Sequence, residues 1–482
     1  MLEMLIGGES CTAADGREIE VVNPATEEIV DSVPSGSTAD VDRAVAAAHG
    51  AFAEWSKTDA EHRAGLLVKA AELIEANAKD LAATLTAEQG KPLGEAVGEV
   101  RHLAHGVYFY AELASKVRGT HQQLPSTFGP AYGMAIRRPM GVCAAIAPYN
   151  FPLTLLGTKV APALAAGNTV VAKPASTTPL STLHVARLFA EAGVPDGVLN
   201  VVTGRGAEIG DALVGHPDVR RVAFTGETGT GQRIMSIAGP ALKRVTLELG
   251  GSDPVIVCDD ADIKAAVKGV VIGRFWNAGQ ACLAAKRVYV LPGVYDAFME
   301  ALLAEVARYE PGDGTTRPEK PGLRMGPIHT AASRATLLEQ IADGVARGGE
   351  VLLGGEAGAQ ERGFFLQPTV IADPADDSRL VTEEVFGPVL PVFRSPSLDD
   401  AIARANRSSF GLGSSIWTRD IGNVHRASEE IEAGMTWVNQ IHYGYDELPF
   451  GGIKDSGYGK EHGAEGLDHY VEVKSVVIGG LA

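Results

Sequence analysis

Beginning near Gly141, short apolar runs alternate with segments of helical period, and the series occurs twice along the chain. Val142–Ala147, Thr169–Ala172, Leu199–Val202 and Val222–Phe224 read as strands, with helices near 154–166, 178–192, 207–215 and 229–238. Runs that are apolar at every position have no solvent face, so they belong to strands covered on both sides. Such strands separated by helices make βαβ units, and the pattern predicts a parallel, doubly wound sheet. A second series starts around Gly250 with Val255–Val257, a helix near 262–279, Val288–Val290 and a helix near 295–309, and it continues to Met435–Val438. The expected fold class is α/β, two doubly wound lobes with the Glu248 strand near their junction.

The flanks read differently. After a short β-like start, Ser37 or Thr38 can cap a helix that places Val41, Ala44, Val45, Ala48 and Phe52 on one face. A second helix runs through Leu66-Leu67 to Leu73-Ile74. At the other end Tyr470–Ile478 alternates apolar and polar residues like an edge strand, whose free edge invites pairing with another chain.

The 482 residues suffice for two or three domains. Cys11, Cys143, Cys258 and Cys282 are too scattered for a disulfide framework or a zinc site, so reduced thiols in a cytoplasmic protein are expected and no metal is. No basic segment followed by an apolar run marks a secretory signal at the N-terminus. Pro139 to Thr158 is uncharged over the length of a spanning helix, but Pro139, Pro148, Pro152 and Asn150 would break that helix in lipid. The net charge of −18 argues against nucleic acid as a partner. Between Leu113 and Ala190 there is no Asp or Glu, while Lys116, Arg118, Arg137, Arg138, Lys159, Lys173 and Arg187 are basic. That carboxylate-free tract suits an anionic ligand such as a dinucleotide phosphate, although a low-charge buried sheet would give part of the same pattern.

Two short motifs carry the chemistry. Phe275-Trp276-Asn277-Ala278-Gly279-Gln280-Ala281-Cys282 sets one thiol among small and polar residues, where it can be reached and ionised. Thr246-Leu247-Glu248-Leu249-Gly250-Gly251 sets a carboxylate among apolar neighbours, which can raise its pKa enough for it to act as a base. Cysteine with glutamate, and no histidine in either motif, points to covalent chemistry on a carbonyl.

These motifs resemble the aldehyde dehydrogenase superfamily. Pro148-Tyr149-Asn150-Phe151-Pro152, Lys173-Pro174-Ala175-Ser176, Phe224-Thr225-Gly226, Glu384-Val385-Phe386-Gly387-Pro388 and Pro449-Phe450-Gly451-Gly452 extend the likeness in the family's order. The resemblance implies a Rossmann-like cofactor domain over 1–117 and 136–249, a catalytic domain over 250–447 and a return segment over 448–466. It further implies an oligomerisation element over 118–135 and 467–482, in a homodimer or homotetramer. It implies Cys282 as nucleophile, Glu248 as the base for thioester hydrolysis, the Asn150 amide as an oxyanion donor, and Lys159 and Glu461 in proton movement. Cofactor contacts would come from Ala147, Pro148, Tyr149, Lys173, Ala175, Ser176, Gly206, Phe224, Thr225, Gly226, Glu227, Leu249, Gly250, Glu384 and Phe386. Glu227 stands where the family commonly has Ser, which puts a carboxylate near the expected pyrophosphate.

Ser176 bears on NAD against NADP. NAD sites commonly offer a carboxylate to the ribose 2′-OH, and family members that prefer NAD often have Glu here, so Ser176 favours NADP or dual use. Leu155, Thr158, Ala281, Leu283, Ile441, Tyr443 and Phe450 would line the substrate pocket. Thr158 stands where members selective for carboxylated semialdehydes frequently have Arg, which favours an aromatic or medium aliphatic aldehyde. The alternatives are a semialdehyde dehydrogenase, a CoA-acylating enzyme and a catalytically silent relative.

Overall fold

The computed structural model describes residues 1–125, 131–316 and 323–479. Among them are two large sheets and a small antiparallel one. In the eight-stranded sheet, Leu199–Val201, Thr169–Lys173, Val142–Ile146, Val219–Thr225 and Arg244–Glu248 lie side by side and parallel. The parallel series starts at the central strand Val142–Ile146, winds outward through 169 and 199, then crosses back to 219 and 244. Two loops therefore diverge at the carboxyl ends of adjacent strands, and such a switch point is where open α/β sheets bind ligands. Antiparallel additions close both edges: Met4–Ile6 beside Leu199–Val201, and Gly457–Tyr458 beside the Glu248 strand.

The second sheet has seven strands, with Pro254–Val257, Arg287–Val290, Val389–Arg394, Thr369–Ala372, Gly413–Trp417 and Met435–Val438 in parallel register. The antiparallel Glu350–Leu353 ends it. Apolar side chains pack on the faces of both sheets: Val170, Ala172 and Val201 meet the helices on one side of the first, and Val171, Val222 and Leu247 those on the other.

The expected strands are present with ends shifted by a few residues. Ser37 is the N-cap of the helix Thr38–Trp55, whose Val41, Ala44, Val45 and Ala48 are buried while Phe52 is only half-buried. The segment 207–215 is a short π-helix, Gly206–Gly210, followed by Asp211–Gly215. The helix expected over 262–279 ends at Phe275, because Asn277 and Ala278 take left-handed backbone angles. The helix expected to 309 ends at Val306.

The C-terminal strand Val471–Gly479 pairs antiparallel with Ala131–Pro139, which pairs with Thr120–Leu124. The hairpin expected near 118–135 thus runs on to Pro139, and its 126–130 portion lies outside the described residues. Val471–Gly479 is the outer strand, with Val473 59% and Val477 65% exposed. Pro139 to Thr158 divides among strand, turn and helix, and no helix among the described residues is long and apolar enough to cross a membrane.

Candidate active site

The turn after Val142–Ile146 carries Asn150, and the helix Pro152–Ala165 begins straight after it. Asn150 is buried, and its carbonyl accepts hydrogen bonds from Lys91 Nζ at 2.7 Å and Asn277 Nδ2 at 3.0 Å. Its own amide donates to the Gln280 carbonyl at 3.2 Å. An amide nitrogen has two N–H groups, so one remains after that bond.

The cysteine segment is bent sharply toward this turn. Asn277, Ala278 and Gly279 have φ of 51°, 52° and 72° in succession. Left-handed angles in non-glycine residues cost about 1–3 kcal/mol each and persist only when surrounding contacts hold them. Here the Asn277 N–H donates to Glu95 Oε2 at 2.8 Å, Gln280 Nε2 donates to the Pro327 carbonyl at 3.1 Å, and Gln280 Oε1 accepts from the His329 N–H at 2.8 Å. The result is a half-buried Cys282 facing the switch-point loops.

Glu248, the last residue of its strand, is 1% exposed, and the Cys282 thiol is the polar group that faces its carboxylate. Burial pushes its carboxyl up to about 8, against a smaller opposing pull from the Cys282 thiol. Burial and the neighbouring Glu248 likewise push the Cys282 thiol well above its ordinary value, partly offset by Lys286. The sequence-based expectation of a readily ionised thiol is corrected by that apolar, carboxylate-bearing surrounding.

Lys159 and Glu461 form a buried ion pair at 2.9 Å. Lys159 Nζ also donates to Thr225 Oγ1 at 2.7 Å, and Thr158 Oγ1 donates to Glu461 Oε2 at 2.9 Å. Thr158 is therefore committed to this network and does not line the substrate cavity.

Two cavities meet at the cysteine. One, of about 420 Å³, lies at the switch point and includes Pro148, Tyr149, Thr225, Gly226, Glu227, Leu249, Gly250, Glu384 and Phe386 in its wall. The other, of about 200 Å³, includes Leu155, Ala281, Leu283, Tyr443 and Phe450. Cys282 is the one residue in both walls among those described. Asn150 and Glu248 face the first.

The larger cavity fits an extended cofactor with close backbone contacts. A Cβ on Gly226 would meet the Phe224 ring at 2.4 Å, and one on Gly250 would meet Glu384 Oε2 at 2.4 Å, so neither glycine leaves room for a side chain. Ala147, Lys173, Ala175, Ser176, Gly206 and Phe224 stand outside that wall. Ala147 N–H donates to the Lys173 carbonyl at 3.1 Å, which places the Lys173-Pro174-Ala175-Ser176 segment at the neighbouring strand end. Burial pushes Lys173 down to about 8. Glu227 is the exposed N-cap residue of the helix Thr228–Ala238 and makes no capping bond with its side chain.

Ile441, expected in the substrate pocket, faces a separate gap of about 10 Å³ instead. The sequence reading missed several wall residues: His102, Phe151, Trp276, His442 and His462 line the smaller cavity. Tyr443 and Trp276 are parallel there, 6.5 Å apart, and Tyr443 Oη lies 3.1 Å from His102 Nδ1. His102 lies on the long helix Leu93–Ala114, and nothing in its local sequence marks a residue that meets Tyr443 from far along the chain.

Comparison with known proteins matches these features to a family. The aldehyde dehydrogenase family model covers residues 11–476. The chain is 41% identical to the mitochondrial succinate-semialdehyde dehydrogenase of Arabidopsis thaliana over 99% of its length and 89% of that protein. It is also 41% identical to phenylacetaldehyde dehydrogenase of Pseudomonas fluorescens, over 99% and 95%. A crystal structure described as an E. coli NADP dependent enzyme superposes with a TM-score of 0.96 at 40% identity, covering 99% of this chain and 98% of that one. The chain belongs to the aldehyde dehydrogenase family.

Proposed function

We propose that this protein oxidises an aromatic or medium aliphatic aldehyde to its carboxylic acid through a thioester on Cys282. The observation that carries this reading is Cys282 in the walls of both cavities, with the buried Glu248 carboxylate beside its thiol. In the proposed sequence the Cys282 thiolate adds to the aldehyde carbon, and the new oxyanion takes hydrogen bonds from the Asn150 amide and the Cys282 N–H. Such a donor is worth about 3–4 kcal/mol in the transition state. A nicotinamide dinucleotide, when bound in the larger cavity, supplies the acceptor for hydride from the aldehyde carbon. Glu248 then takes a proton from water as the water oxygen attacks the thioester, the C–S bond breaks, and the acid leaves.

In this reading Glu384 and Phe386, from the wall of the larger cavity, hold the nicotinamide end of the dinucleotide, and Lys173 with Ser176 the adenosine ribose. The absence of a carboxylate at Ser176 supports NADP or dual use. The free cysteines fit a cytoplasmic protein, and the exposed outer strand Val471–Gly479 supports a homodimer or homotetramer built through the small sheet.

Among the described residues no Lys or Arg lines the smaller cavity, which supports an uncharged aldehyde tail. His102, His442 and His462 in the same wall favour a second reading, a carboxylated semialdehyde held by imidazole donors. The test is absorbance at 340 nm with phenylacetaldehyde, hexanal, and succinic and glutaric semialdehydes, each with NAD or NADP and with or without CoA. The first two are expected to give the higher kcat/KM, independent of CoA. A higher kcat/KM for the semialdehydes selects the second reading, and a requirement for CoA or no turnover at all overturns both.

A further inference from the structure

Lys286 follows the cysteine motif and sits just before the strand Arg287–Val290, where nothing in its local pattern separates it from an ordinary strand flank. Its side chain is only 1% exposed. An ammonium group has three N–H donors, and here each has a named acceptor. One is the Glu384 carboxylate. The second is the Gly251 carbonyl at 2.7 Å, just after the Glu248 strand. The third is the Cys282 carbonyl at 2.9 Å.

Glu384 itself accepts from the Gly251 N–H at 2.9 Å, which closes a small ring of contacts. The ammonium also stands 5.5 Å from the centre of the Phe386 ring. A buried cation with all three donors committed is fixed in place, and its loss would leave a mostly buried carboxylate without its counter-charge.

We propose that Lys286 is a positioning residue joining the two halves of the site, tying the cofactor-facing Glu384 to the backbone carbonyls of Gly251 and Cys282 so that a change at one is felt at the other. This rests on the reading of Glu384 and Cys282 as parts of one active site. The charge of Lys286 favours the thiolate at Cys282, while Glu384 opposes it. Removing the lysine and removing the glutamate charge should therefore act on the thiol with opposite signs.

The test uses the full-length protein without substrate, so it needs no turnover. The pH profile of Cys282 alkylation by iodoacetamide gives the thiol titration midpoint, with Cys282→Ala fixing the background from the other cysteines. NAD and NADP dissociation constants come from quenching of tryptophan fluorescence. Lys286→Met should move the midpoint alkaline and weaken cofactor binding at least about threefold, about 0.65 kcal/mol. Glu384→Gln should move the midpoint acid.

An unchanged midpoint in Lys286→Met, a shift of the same sign in both variants, or cofactor binding weakened less than threefold each overturns the proposal. Should Lys286→Met fail to fold, Lys286→Gln takes its place, with the same alkaline shift and the same threefold weakening expected and the same results overturning the proposal. Absence of aldehyde turnover with these titrations as expected would remove the proposed reaction and leave the role of Lys286 standing.

Discussion

The Glu248 carboxyl, held near 8 by burial, makes a sign-definite statement about pH. Its pKa rises on folding, so between about 4.5 and 8 the folded chain keeps a proton that the unfolded chain releases. Its contribution to stability therefore declines as pH rises through that window. Glu248→Gln should unfold at a higher temperature than wild type by a margin that widens from pH 5 to pH 9 in thermal melts. If Glu248 is the base for hydrolysis, steady-state turnover should climb through about pH 8. The Gln variant should then keep a single-turnover burst of reduced cofactor while losing that limb, and a lost burst would place the residue in an earlier step. Ser176 carries the second prediction. Ser176→Glu puts a negative charge where a 2′-phosphate would lie, and like charges near 4 Å repel by about 4 kcal/mol at an effective dielectric of 20 before screening. The ratio of kcat/KM for NADP to that for NAD should fall by at least about tenfold, and an unchanged ratio places Ser176 away from the ribose. Glu248, Cys282 and Asn150 could be picked out because each sits in a motif whose neighbours are as distinctive as itself. Lys286, His102 and His462 could not, since their partners are distant in sequence and their own neighbours are unremarkable. Thr158 misled for the same reason, its hydroxyl being claimed by Glu461 at the far end of the chain.

Among the elements, strands were the easiest to read, since a run that is apolar on both faces has few places to go. Breaks within helices were harder. A helical pattern through Phe275 to Gly279 looks continuous by period, yet the backbone reverses hand at Asn277 because long-range bonds to Glu95, Asn150 and Pro327 reward the turn. Asn277 tolerates that conformation better than most residues, and its Nδ2 also donates to the Gln280 carbonyl at 3.1 Å. Asn277→Ala loses both side-chain bonds at a buried site and should destabilise the protein by about 2 kcal/mol in urea unfolding. Turnover should fall more than that stability loss explains, because the Asn150 turn and the cysteine segment keep only the bond from the Asn150 amide to the Gln280 carbonyl as a direct tie. Loss of stability with unchanged kcat would show that the tie is only structural.

For the molecule as a whole, two largely parallel sheets were readable from two successive series of alternation. The N-terminal hairpin Glu18–Val22 with Ile29–Pro34 was not readable at that detail, being a pair of short strands, whereas the pairing of Gly457–Tyr458 with the Glu248 strand falls within the 448–466 return segment that the family resemblance implied. The exposed Val473 and Val477 on the outer C-terminal strand carry the last prediction. Val473→Glu with Val477→Glu should lower the solution mass seen by light scattering while leaving the melting temperature of the protomer nearly unchanged. An unchanged mass would mean that assembly, if present, uses another surface. The meeting of two cavities at one thiol has a kinetic corollary as well. If the aldehyde takes the smaller cavity and the nucleotide the larger, neither need pass through the other's space, and the acid could depart while the spent nucleotide still occupies its own berth. In that arrangement Cys282 would be the one point where the two molecules meet.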